Sequence, residues 1–139
     1  MIAKILNETD RLFDRLRDPL LLLSRLILVP FYFSASLDKI QDYSGTASSM
    51  ESHGIPTFTL PLVILLEIGG SIFLALGLLT RLSCLALAIF SIAANYIYNR
   101  GSTEEVHQLL YMAEYTIIAA FVALMAVGPG KWALDAFRR

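Results

Sequence analysis

Residues 60–79 read LPLVILLEIGGSIFLALGLL and decide the fold, because Glu67 is the single charge in this long and mostly apolar run. A membrane-spanning helix needs about 20 predominantly apolar residues. Three further stretches have the same character: residues 20–37, 82–98 and 109–127. An open strand cannot satisfy its backbone in lipid, and none of the stretches alternates like a barrel strand. The sequence therefore predicts an all-α bundle of four transmembrane helices, forming a single domain over residues 1–139.

The composition excludes several other classes of protein. Hydrophobic residues make up 56% of the 139 residues and charged residues 17%, whereas a soluble domain has about 25% charged residues. The net charge of −1 offers no basic surface to nucleic acid. Cys84 is the single cysteine, which excludes an internal disulfide and any multi-cysteine metal site. His53 and His107 lack a specific spacing to carboxylates, so no metal site is expected.

The segments around the spans predict how the bundle is bounded. Residues 2–17 place apolar side chains mainly on one helical face, which predicts a short amphipathic helix at the membrane surface. Pro30 predicts a kink, residues 79–83 a tight turn, and residues 40–58 a long loop. Most basic residues fall in flanks that an even number of spans places on one side. Both termini are therefore expected in the cytoplasm.

Ionisable side chains inside the spans are the candidates for function, because each costs about 2.5–3.5 kcal/mol to insert. At about 1.5 Å per residue, Glu67, Asn95 and Glu114 fall at one depth in the outer half of the membrane, with Lys39 above them. Two carboxylates at one depth do not both stay ionised cheaply, so one would hold a proton or pair with Lys39 or Arg25. The pattern fits either a proton-handling or ligand-binding site or an ion-pair network that fixes helix register. The structural role is favoured for Arg25 and Glu67, whereas Glu114 fits both roles about equally.

Several tyrosines surround the same level and leave two interpretations open. They could line a pocket for a ring-shaped ligand such as a quinone, but tyrosines at this level more often form the interfacial aromatic belt of a membrane protein, which is the favoured interpretation. The residues concerned are Tyr96, Tyr98, Tyr111 and Tyr115.

The sequence resembles the DoxX family of bacterial membrane proteins over about residues 20–137. The resemblance rests on Arg25, on DK at 38–39, on YSGT at 43–46, on GIP at 54–56, on LPLVILLE at 60–67 with GG at 69–70, on LGLLTR at 76–81, on GPG at 128–130 and on LD at 134–135. It implies a four-helix protein of the bacterial inner membrane. Some members of the family are small subunits linked to quinone-reducing sulfur oxidation. The usual family pattern corresponds here to Arg25, Lys39, Glu67 and Arg81, whereas Asn99 stands where relatives often carry histidine and AE at 113–114 where they often carry Lys-Asn.

The leading functional hypothesis is a DoxX-like accessory protein that assists membrane redox or stress chemistry through a partner protein or a quinone. No ligands for a redox cofactor are evident in the sequence, so activity as an enzyme on its own is not expected. One alternative is a small proton-coupled transporter or ligand-binding protein, for which four spans are few unless the chain forms a homo-oligomer. The other alternative is a purely structural assembly subunit.

Overall fold

Helices account for most of the chain in the computed structural model, which describes residues 1–101 and 103–138. These residues form no strand and five α-helices: α1 (Ile2–Gln41), α2 (Tyr43–Ser52), α3 (Leu60–Leu76), α4 (Thr80–Ala94) and α5 (Glu105–Val127). A π-helical segment, Asn95–Asn99, extends α4, and short 3-10 segments cover Thr57–Thr59 and Leu134–Arg138. Four stretches are long and apolar enough to cross a membrane: Lys4–Gln41, Thr57–Leu76, Thr80–Asn99 and Glu105–Val127. The predicted four-span helical bundle is confirmed.

The helices pack as two pairs that share one apolar core. α1 lies mainly against α3, α5 lies mainly against α4, and α3 and α4 join the pairs. A Cβ added to the buried Gly70 would lie 3.0 Å from the Leu87 side chain, so this glycine lets α3 and α4 approach closely. Large apolar side chains also cover the outside, as at Leu65, which is 68% exposed. A helix that is apolar on all sides is typical of a protein surrounded by lipid.

α1 departs from the prediction at its N-terminal end. The amphipathic segment 2–17 is helical as expected, but it forms the first turns of one 40-residue helix rather than a separate element. The helix continues through Pro19 and Pro30, because no glycine or polar turn separates the segment from the span. At about 1.5 Å per residue α1 is roughly 60 Å long. It therefore projects well beyond a hydrocarbon core of about 30 Å.

Two connections also differ from the prediction. The expected loop over 40–58 contains α2, whose N-terminus is capped by the Asp42 side chain accepting a hydrogen bond from Gly45 N at 3.1 Å. The turn between α3 and α4 comes before the expected 79–83, because Gly77 adopts a left-handed φ of 67° and ends α3. Thr80 already begins α4.

Candidate functional site

A cavity of about 750 Å³ lies among the helices at the end of the bundle that carries α2. All five helices contribute to its walls. Four charged residues within the spans line it, namely Asp38, Lys39, Glu67 and Glu114, and Asp42 also belongs to its wall. The walls around them are mainly apolar and aromatic, and include Phe31, Tyr32, Met50, Ile55, Val63, Phe90, Ile97 and Tyr98. A concave apolar site with a few convergent polar groups is typical of binding sites for small organic molecules.

An ion pair between α1 and α3 forms one side of the cavity. Lys39 Nζ lies 2.9 Å from Glu67 Oε1, and it also donates to the backbone oxygen of Ala35 at 3.3 Å. Glu67 is 2% exposed, whereas the Lys39 side chain is 25% exposed. The last turns of α1 therefore deliver the positive charge that a buried carboxylate on α3 requires.

A chain of hydroxyl groups connects α1, α4 and α5 on the other side of the cavity. The Tyr32 hydroxyl is hydrogen-bonded to Ser91 Oγ, and the Ser91 side chain is hydrogen-bonded to Glu114. Tyr32 is 2% exposed and Ser91 is 1% exposed. Glu114 is also close enough to Glu67 and Lys39 to interact with both electrostatically. The cavity thus places two carboxyl groups and one ammonium group in one electrostatic network.

Each carboxyl group keeps one oxygen without a hydrogen-bond partner. Glu67 Oε2 and Glu114 Oε2 are buried, and neither is bonded within residues 1–101 and 103–138. A buried polar atom without a partner costs about 1–3 kcal/mol. Arg25 Nε, Ser71 Oγ and Thr80 Oγ1 are also unpartnered among the described residues, but those side chains do not belong to the cavity wall. Both glutamates line the cavity, which makes their carboxyl groups the candidates for binding a hydrogen-bonding ligand there.

Arg25 lies away from this network, although the sequence offered it as a partner for the carboxylates. Its Nη1 donates to Leu74 O at 3.2 Å and to Ala75 O at 3.4 Å, and its Nη2 donates to Trp132 O at 2.6 Å. Leu74 is about two helical turns beyond Glu67, or roughly 10 Å along α3. Arg25 is fully buried and binds backbone carbonyls at the opposite end of the bundle.

Asn95 does not line the cavity, and its side chain forms hydrogen bonds between the helices instead. Its Nδ2 donates to Tyr111 O at 3.2 Å, and its Oδ1 accepts from Asn99 Nδ2 at 2.9 Å. Asn99 Oδ1 in turn lies 3.0 Å from His107 Nδ1. These bonds join the π-helical segment to α5. π-Helical turns are frequent at functional sites, and this one places Ile97 and Tyr98 in the cavity wall.

The tyrosines divide between the two interpretations. Tyr98 lines the cavity and packs against the His53 ring at a centroid distance of 4.6 Å. Tyr96 is 61% exposed with Arg100 over its ring at 4.6 Å. The hydroxyls of Tyr111 and Tyr115 lie 3.0 Å apart, outside the residues that form the cavity wall. These last three tyrosines match the aromatic belt better than a ligand pocket.

Sequence reasoning missed Tyr32 and Ser91, yet a signal for Tyr32 was present. Arg25, Tyr32 and Lys39 follow one another at intervals of seven residues, which places them on one face of a helix. All three are directed into the bundle. Ser91 gave no comparable signal, because an isolated serine in an apolar helix is common in membrane proteins.

Comparison with known proteins decides the family. Residues 20–100 match the DoxX family model, and these are more than half of the chain. Inner membrane protein YqjF of Escherichia coli (strain K12) is 36% identical over 121 residues, which cover 87% of this chain and 93% of that protein. This chain belongs to the DoxX family. The resemblance predicted from the motifs is therefore confirmed, and the four apolar helices make this DoxX member a multi-pass membrane protein.

The match to the family model contains one side of the cavity and part of the other. Tyr32, Lys39, Glu67 and Ser91 lie within residues 20–100, whereas Glu114 lies beyond them. No solved structure matches the chain.

Proposed function

We propose that this DoxX-family protein binds a quinone or its reduced quinol in the cavity beside Lys39, Glu67 and Glu114. The unpartnered oxygens Glu67 Oε2 and Glu114 Oε2 carry the proposal. The two hydroxyl groups of a quinol are donors that would satisfy both oxygens. The carbonyl oxygens of the oxidised ring would instead accept from the Lys39 ammonium group or from a protonated carboxyl group. One site therefore suits both redox states of the ligand.

The walls and size of the cavity support an aromatic ligand of this kind. Phe31, Tyr32 and Phe90 present ring surfaces, and offset or edge contacts between aromatic rings are favourable. The volume of about 750 Å³ lies within the range of roughly 300–1,000 Å³ that is usual for small-molecule sites. A quinol also partitions into the bilayer, so it would reach a cavity between membrane helices from the lipid.

The chain would act as an accessory to a redox partner protein in the bacterial inner membrane. Oxidation of a bound quinol releases two protons and two electrons. Glu67 and Glu114, both ionised before the reaction, would each accept one proton, and the two electrons would pass to an oxidised redox cofactor held by the partner protein. The excess of basic residues in the flanks of the spans supports cytoplasmic termini, and the cavity would then open on the periplasmic side.

Two alternatives, a proton-coupled transporter and a purely structural subunit, make different demands on the same residues. A transporter needs a path from the cavity to the other end of the bundle. On that side Leu74, Leu87 and Phe121 are fully buried in the core, which favours a binding protein over a transporter. A structural subunit would need the Lys39–Glu67 pair only for helix register, and it would not need a ligand.

Binding of a short-chain ubiquinone and its quinol to the purified protein in quinone-free nanodiscs tests the proposal. Isothermal titration calorimetry should detect the quinol, and Glu114→Gln should weaken binding about tenfold because it removes a charge-assisted hydrogen bond. Glu105→Gln is the matched control, since Glu105 is an exposed acid in the first turn of the same helix. Absence of binding, or equal binding by Glu114→Gln and wild type, would overturn the proposal in favour of a structural role.

A further inference from the structure

A second cavity, of about 600 Å³, lies at the opposite end of the bundle. It is lined by residues of α1, the start of α4, the end of α5 and the segment 128–138, which we call the C-terminal tail. Three basic side chains line it: Arg17, Arg81 and Lys131. Asp18 and Asp135 line it as well, so the three basic and two acidic side chains leave the lining with a formal net charge of +1.

Both carboxylates are engaged by backbone N–H groups. Asp18 Oδ1 accepts from Lys131 N at 2.8 Å. Asp135 accepts from Leu79 N at 2.8 Å and from Thr80 N at 2.9 Å, where it caps the start of α4. The tail is held further by Asp135 N, which donates to Gly77 O at 2.9 Å. The two acids therefore hold the tail in place.

The two arginines, on different helices, each donate to one of two neighbouring backbone carbonyls at the end of α5. Arg17 Nη2 donates to Val127 O at 3.5 Å, and Arg81 Nη2 donates to Ala126 O at 3.4 Å. Both bonds are long, and each guanidinium has five N–H donors. Over the ranges 1–101 and 103–138, neither arginine forms an ion pair with a carboxylate. Most of the donors of both guanidinium groups therefore remain available for an anion.

The position of the cavity indicates a ligand that is partly apolar. The cavity lies where the stretches Thr80–Asn99 and Glu105–Val127 begin and end, at the level of the membrane surface. Leu79 and Leu82 line it and are 39% and 59% exposed. On the tail, Trp132 is 59% exposed, as expected of an aromatic anchor at the interface. Basic groups thus lie directly beside a surface that would contact acyl chains.

We propose that this cavity binds the phosphate group of an anionic phospholipid. The phosphodiester would lie between the guanidinium groups of Arg17 and Arg81, which suit planar two-point hydrogen bonding to phosphate oxygens. Lys131 adds a third positive charge, and Leu82 contacts an acyl chain. Basic pockets at the cytoplasmic ends of membrane helices attract anionic headgroups. This binding would fasten α1, α4 and the C-terminal tail to the inner leaflet.

Native mass spectrometry of the full chain in detergent, with added phosphatidylglycerol or phosphatidylcholine, tests this site. Wild type should retain phosphatidylglycerol in preference to phosphatidylcholine. The double variant Arg17→Gln/Arg81→Gln should lower the retained phosphatidylglycerol about tenfold. Arg11→Gln/Arg15→Gln removes the same charge from exposed positions of α1 outside the cavity and should retain the lipid.

Further arms distinguish the source of the phosphate and guard against misfolding. Excess inorganic phosphate should not displace the lipid, because it cannot contact Leu82; displacement would show a site for free phosphate and overturn the lipid assignment. Lys131→Gln is a milder substitution at an exposed side chain, and it should lower retention severalfold while Lys4→Gln does not. Equal retention by the cavity variants and their controls would overturn the proposal.

Discussion

Arg25 and Glu67 are both buried charges inside predicted spans, yet their surroundings differ completely. Arg25 is fully buried and donates to three backbone carbonyls, two near the end of α3 and one in the C-terminal tail. Glu67 is 2% exposed, pairs with one side chain and keeps Oε2 unpartnered beside a cavity. Carbonyls at the end of a helix lack some of their partners within that helix. Leu74 O accepts from Gly77 N at 3.2 Å, and Arg25 adds a charged donor to it and to Ala75 O. The charge of Arg25 is therefore bound by the backbone of the chain itself, whereas the carboxyl group of Glu67 keeps one unpartnered oxygen in a residue that lines a cavity.

This difference shows that a charge within a span has no fixed meaning. A cation that meets the carbonyls at a helix end completes the fold, and its removal should cost stability first. A carboxylate held by one long side chain at a cavity wall combines a structural pair with an open hydrogen-bonding site. Stability and ligand binding, measured on the same variants, separate the two roles.

Arg25→Met should produce the largest loss of stability. It leaves the carbonyls of Leu74, Ala75 and Trp132 without their charged donor and loosens the tail, which we expect to lower the free energy of unfolding by about 3 kcal/mol. Denaturant unfolding in detergent, followed by circular dichroism, measures this change. Arg15→Met, at an exposed position on the same helix, should leave stability nearly unchanged. A similar result for both variants would remove the contrast between the two ends.

Lys39→Met should cause the next largest loss of stability, and a second substitution at Glu67 should restore most of it. The single substitution leaves the Glu67 carboxylate buried without its counter-ion, and we expect it to cost about 2–3 kcal/mol. The double variant Lys39→Met/Glu67→Met replaces the pair by apolar groups and should recover most of that loss. The same unfolding experiment measures both. If the double variant were no more stable than the single one, Glu67 would be held mainly by contacts other than Lys39.

The number and position of the spans could be predicted because hydropathy measures what lipid requires of a helix. Each predicted span lies mainly within a helix of the structure, although the ends differ. The prediction treated the amphipathic segment 2–17 as separate from the first span, because the change in composition suggested a boundary. Backbone hydrogen bonds form equally well in the charged and the apolar part, so α1 continues across the change in composition without a break. α2 was missed because its polar sequence, YSGTASSMES, lacks helical periodicity.

The sequence predicted the depth of the candidate site residues in the membrane, but not the groups that their side chains contact. The rise per residue placed Glu67, Glu114 and Lys39 at neighbouring levels, and all three reach one cavity. Arg25 and Asn95 were less well predicted because depth does not reveal which backbone groups lie opposite a side chain. The C-terminal tail is the clearest case. Its docking depends on the hydrogen bonds from Leu79 N and Thr80 N to the Asp135 carboxylate. Because these residues are more than fifty positions apart, no local sequence pattern predicts the contact.

Asp135→Ala should produce a smaller loss of stability than Arg25→Met. The substitution removes the acceptor for Leu79 N and Thr80 N, and loss of an N-terminal cap costs about 1 kcal/mol. Arg25 would still hold the tail through Trp132 O. Denaturant unfolding should show this partial loss, and Asp14→Ala, at an exposed position of α1, should show almost none. A loss as large as that of Arg25→Met would make Asp135 the principal attachment of the tail.

Ala94→Leu should change stability least but ligand binding strongly. It is therefore the most selective test of the cavity at the end of the bundle that carries α2. Ala94 lines the larger cavity, so a leucine would occupy space that a ligand otherwise fills. We expect the free energy of unfolding to stay within about 0.5 kcal/mol of wild type, while short-chain ubiquinol binding falls about tenfold. Ala119→Leu adds the same volume at an exposed position of α5 and should affect neither. In a packed core the same enlargement costs about 1–3 kcal/mol, and a loss of that size would mean that Ala94 has no free space beside it for a ligand.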